Sequence, residues 1–143
     1  MKKVILAVVV IVVLIQLIPV QRSNPPVTQE IAAPAQVGQI LQTACYNCHS
    51  NETEWPWYGY VAPVSWLVNH DVNEAREHFN LSTWDHYSAQ ERRDLIREMW
   101  EEVEEGVMPL WYYQILHPEA RLSEQQMETL QRWAENTDAG EPA

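Results

Sequence analysis

Along the chain, one unbroken apolar run is followed by a series of helical stripes. Val4 to Ile18 is apolar except for Gln16, is closed by Pro19 and is headed by Lys2 and Lys3. A charged head before an apolar run marks an export segment. Ala32, Ala33 and Ala35 flank Pro34 instead of forming a clean A-x-A site, so residues 1–21 are predicted to be a signal anchor in preference to a cleaved signal peptide. About 17 residues lies at the low end of what crosses a bilayer, and the two lysines predict a cytoplasmic N-terminus. The remainder would then sit in the periplasm or on the outer side of the cytoplasmic membrane. Residues 22–35, with Pro25, Pro26 and Pro34, read as a linker, residues 36–137 as one domain, and residues 138–143 as a flexible tail.

Within the domain no period-2 alternation is long enough to argue a sheet, so an all-α fold is predicted. Val37, Ile40, Leu41 and Ala44 share one face of a short first helix. Val64, Val68, Val72, Ala75 and Phe79 step by four, four, three and four, which predicts a helix over 63–79 with one buried stripe. Ser88-Ala89-Gln90-Glu91 is a capping box, and the helix it opens turns Leu95, Ile96, Met99, Trp100 and Val103 inward before Gly106 stops it. Ser123 to Gln126 is a second capping box, ahead of a last helix with Met127, Leu130, Trp133 and Ala134 on its inner face.

Composition changes the picture in one respect. The formal net charge is −11, both lysines precede the domain, and nearly every acidic residue lies inside it. No nucleic-acid partner is therefore expected; the acidic surface would suit a basic docking partner, or is simply a solvated face.

The candidate chemistry lies in Cys45-Tyr46-Asn47-Cys48-His49, which uses both cysteines of the chain. C-x-x-C-H is the pattern of covalent haem attachment. Two thiols on one helical turn reach the two vinyl groups of a porphyrin, and the following imidazole ligates the iron. A backbone carbonyl near Pro56 or Pro63 is the expected partner of the other ring nitrogen of His49. For the sixth ligand, Met99 and Met127 sit on apolar helical faces where methionine fills gaps. Met108 follows a helix stop, and Pro109 restricts it to extended backbone, so Met108 is the leading candidate. Among His70, His78, His86 and His117, the last is the strongest histidine rival because it too precedes a proline. Some of the seven tryptophans are expected to line the haem.

The order of helix, C-x-x-C-H, helices, Met-Pro loop and capped terminal helix resembles the small class I cytochromes c. The segments Cys45 to Thr53, Trp55-Pro56-Trp57-Tyr58, Ala62 to Leu67, Arg76-Glu77-His78, the Trp84 segment, Gly106 to Pro109, Tyr112-Tyr113 with Leu116-His117, and Leu122 to Trp133 are similar to a bacterial family of exported haem-binding domains. That resemblance covers residues 36–134 and implies binding of c-type haem, without implying a substrate. The expectation is a small cytochrome c-like domain around one covalent haem c, held by Cys45, Cys48, His49 and Met108 and tethered to the membrane. It would pass single electrons to a redox partner protein, with no enzymatic step of its own. Two alternatives stand beside it. One is a haem enzyme or gas sensor with a labile sixth ligand, assisted by His78 or His117. The other is a haem-free site, either a thiol-disulfide oxidoreductase or zinc on Cys45, Cys48 and His49, which lacks the expected βαβ context or a fourth ligand.

Overall fold

A computed structural model of the chain describes residues 1–138; residues 139–143, within the expected tail, lie outside the described residues. The described residues form α1 (Lys2–Ile15), α2 (Ala35–Ala44), α3 (Tyr46–His49), α4 (Val64–His78), α5 (Ala89–Glu104), α6 (Tyr113–Leu116) and α7 (Glu124–Asp138), with no strand among them. The all-α prediction holds.

The core is built where the stripes converge. α5 packs along α7, and α2 bridges α7 to α3, which in turn rests on α4. Leu41, Leu81 and Ile96 are fully enclosed at this junction, beside Val37, Val103, Leu130 and Trp133. Both capping boxes form. Glu91 N–H donates to Ser88 Oγ at 3.3 Å while Ser88 N–H donates to the Glu91 carboxylate at 2.7 Å. Gln126 and Ser123 reciprocate in the same way at 3.3 and 2.9 Å. Each box satisfies two amides that a helix start otherwise leaves open.

The N-terminal run departs from expectation. α1 has 14 residues, or about 21 Å at 1.5 Å per residue, against a hydrocarbon core of about 30 Å. No described helix is long and apolar enough to cross a membrane. The physical reason lies at Gln16, which ends α1. Its side chain donates to Ala62 O at 3.2 Å and accepts from Ala62 N–H at 2.9 Å, so the domain captures the chain there. Met1 to Leu14 lie exposed.

The proline-rich segment is strapped to the domain instead of running free. Thr28 N–H and Ile31 N–H donate to Ser82 O and Leu81 O, both at 3.0 Å, and Ile31 enters the core. Arg76, near the end of α4, extends this strap. Its guanidinium donates to Ser50 O at 2.7 Å, Ser23 O at 2.8 Å, Thr53 Oγ1 at 2.8 Å and Asn24 Oδ1 at 3.1 Å. One side chain thus joins strap, α4 and the loop that follows Cys45–His49.

Candidate functional site

Cys45 closes α2, and the next four residues form α3, so the cysteine motif is itself a helical turn. That turn sets both thiols toward one cavity, and the segment after α4 fixes the imidazole. Leu81 N–H donates to His49 O at 2.7 Å, His49 Nδ1 faces Phe79 O at 3.4 Å, and the Phe79 ring stacks on the imidazole at 4.0 Å. The carbonyl partner of His49 is therefore Phe79, not a group near Pro56 or Pro63. Burial drives the His49 pKa down to about 4, opposed by the Phe79 carbonyl. Burial thus favours the neutral ring, and a proton on Nδ1, which faces the Phe79 carbonyl, would leave the Nε2 lone pair for a metal.

Cys45 and Cys48 are both free thiols. Burial, and for Cys45 the neighbouring Cys48, pushes their pKa values up to about 12 and about 11. Burial in this apolar setting therefore favours the protonated thiol at both positions. Among the described residues no group of three or more His, Cys, Asp or Glu side chains is arranged to hold a metal.

The cavity has a volume of about 590 Å³ and is lined by Cys45, Cys48, His49, Met108, Tyr112 and Tyr113, with Asp71 and His78 from α4. Its size falls in the range of small-molecule and cofactor sites. Met108 owes its place to the end of α5. Gly106 takes a φ of +73°, which suits glycine, and Gly106 N–H and Val107 N–H return to Val103 O and Glu102 O at 3.1 and 3.0 Å. That is a Schellman stop. Met108 N–H joins it by donating to Glu102 O at 3.0 Å, so the backbone carrying the thioether is tied to the helix end. Cys45, His49, His78 and Met108 also border a smaller hollow of about 200 Å³ beside Met99.

The other candidates fall elsewhere. His117 is occupied at both nitrogens, by Tyr58 OH at 2.6 Å and Glu119 at 2.9 Å, and borders a neighbouring hollow that shares Cys48 and Tyr113 with the main cavity. His78, not His117, lies on the main cavity wall, and it pairs loosely with Glu98 at 3.8 Å. His70 pairs with Glu74 in solvent, and His86 is exposed. Met127 packs against the core. The tryptophans are not on the cavity wall; Tyr112 and Tyr113 supply its aromatic surface. Tyr113 OH accepts from Asn47 Nδ2 at 2.8 Å, and Tyr112 OH donates to Asp71 Oδ2 at 3.0 Å. Asn47 therefore orients a wall residue from inside the motif. Its one sequence signal was its position between the two cysteines.

A small all-helical domain with two thiols, a neutral imidazole and a thioether around one cavity defines a haem-binding class of protein. The donor chemistry fits the cofactor: thiols suit covalent attachment to haem, and imidazole and thioether are both donors that haem iron accepts. A family model described as haem-binding domain matches residues 10–136, and the chain belongs to that family. No curated protein and no solved structure matches it.

Proposed function

We propose that the domain is a c-type cytochrome module, tethered at the outer side of the cytoplasmic membrane, that carries single electrons between protein partners. The observation supporting this reading is the shared cavity wall of Cys45, Cys48, His49 and Met108. Haem, when bound, supplies reversible one-electron exchange at iron. Cys45 and Cys48 would retain it through thioether bonds, each thiol adding its sulfur and proton across one vinyl group. His49 would ligate through Nε2, oriented by the Phe79 carbonyl and ring. Met108 would be the second protein donor to the iron, its soft sulfur favouring the reduced state and raising the potential. With His49 and Met108 both engaged, electron transfer would need no residue as an acid or base.

The tether is the apolar segment headed by Lys2 and Lys3, held in the bilayer at less than full spanning length. The acidic surface of the domain suits a basic redox partner.

A second reading, a haem enzyme or sensor with a labile sixth site, is favoured by His78 on the same cavity wall. The optical spectrum separates the two. Electron transfer with His/Met ligation predicts a low-spin ferric spectrum with a far-red methionine-to-iron band, which Met108→Ala abolishes while lowering the midpoint potential. A high-spin ferric spectrum, with immediate carbon monoxide binding in the reduced protein, would overturn it.

A further inference from the structure

In a chain with 29 charged side chains, residues 55–70 and 106–118 contain no Asp, Glu, Lys or Arg. The two uncharged strips are brought together in the fold. Val64 and Leu67 from the first share one hollow of about 210 Å³ with Leu110 and Leu116 from the second, next to Cys48 and bordered also by Glu54 and Asp71. On the same two strips large apolar side chains stand in solvent, with Trp57 76% and Trp111 72% exposed. Tyr60, Val61, Ile115 and Leu116 are exposed as well. Large exposed apolar side chains on two strips that the fold joins mark an interaction surface.

The chain itself indicates what covers it. α1 is joined to the first strip at its root through the paired Gln16–Ala62 hydrogen bonds. Arg22 then donates to Gly59 O at 3.0 Å and lies 4.3 Å over the Tyr60 ring. The apolar helix therefore leaves the domain beside Tyr60 and Val61, and a membrane that holds α1 meets this face first. A basic protein partner would be drawn to the acidic surface, whereas an uncharged strip with tryptophan and tyrosine has the composition of a bilayer interface.

We propose that the face formed by Trp57, Tyr60, Val61, Trp111 and Ile115 docks on the lipid interface and holds the haem domain against the membrane. This rests on the tether proposed above. None of the patch residues belongs to the acidic helices α5 and α7, so docking through it would leave their side chains free for a redox partner.

The test uses the full haem-loaded chain in phosphatidylcholine vesicles containing a diazirine-bearing phosphatidylcholine, with adducts mapped by mass spectrometry after flotation. Flotation reports the tether, and adduct position reports the face. The expected result is flotation with adducts in residues 57–67 and 110–116, at about tenfold the yield in α5 and α7, as for an interfacial surface. Trp57→Ser with Trp111→Ser should cut the yield in those strips severalfold without reducing flotation or the haem spectrum. Flotation with adducts confined to residues 1–18 would overturn the docked face and leave the tether standing. Protection of the strips by a second copy, seen as dimer crosslinks without lipid adducts, would also overturn it. Failure to float would overturn the tether, and the docked face with it.

Discussion

The α5–α7 pair and the wall formed by α3, α4 and the Met108 loop are built from similar residue types but finished to different degrees. In the pair, Ile96, Val103, Leu130, Trp133 and Ala134 are buried against one another, and both helices start from closed capping boxes. On the wall, Ala44, Cys45, Cys48, Ala75 and Met108 are only half-buried and border a cavity. The pair buries its apolar stripes within the protein, whereas the wall lines a cavity of cofactor size. If haem fills that cavity as proposed, its binding adds to the stability of the wall.

That difference has measurable consequences. Replacing both thiols, Cys45→Ser with Cys48→Ser, should abolish covalent haem and lower the melting temperature of the domain to that of the haem-free chain. The check is haem staining on a denaturing gel beside thermal circular dichroism. Equal melting temperatures for the wild-type protein and this variant would mean that the wall does not depend on its ligand.

Ile96→Ala, in the closed pair, should cost about 3 kcal/mol through lost burial and a cavity. Urea unfolding should give the same loss in haem-loaded and haem-free protein, because the site lies outside the cavity wall. Arg76→Ala removes four hydrogen bonds that join the strap to the motif loop and should cost about 2 kcal/mol. Hydrogen exchange should quicken in residues 22–31 and 50–53 and leave α5 and α7 unchanged.

The smallest effect concerns the α5 cap. Glu91 is held below the usual carboxylate range by its hydrogen bonds with Ser88. Its folded pKa is lower than its unfolded one, so its contribution is full above the ordinary glutamate pKa and is lost as pH falls through the folded value. Glu91→Gln should flatten the fall in stability across the acid range, read as a smaller melting-temperature difference between neutral and acidic buffer.

The two regions were also unequally legible in the sequence. The pair announced itself because each of its determinants is local: Ser88 and Glu91 lie three residues apart, and the apolar stripes repeat at helical spacing. The thiols and His49 were legible for the same reason, as consecutive positions on one turn. The carbonyl that orients His49 comes from Phe79, and Tyr58, which occupies His117, lies 59 residues from it. Such pairings leave no periodic mark. The strap looks like a linker in the sequence because much of its attachment runs through backbone groups of Thr28, Ile31, Leu81 and Ser82, which carry no side-chain signature. The tryptophans suggested a haem lining by size alone, yet Trp84 and Trp133 are buried in the core and Trp57 and Trp111 stand in solvent.

The proposed covalent haem on Cys45 and Cys48 is the claim on which the proposed ligation and carrier role both rest. It can be measured by producing the full chain with the cytochrome c maturation machinery, extracting it with acidified acetone and recording the pyridine haemochrome of the protein residue. Retention of one haem per chain, with the spectrum of thioether-linked porphyrin, is the predicted result. Complete passage of the haem into the acetone would contradict it.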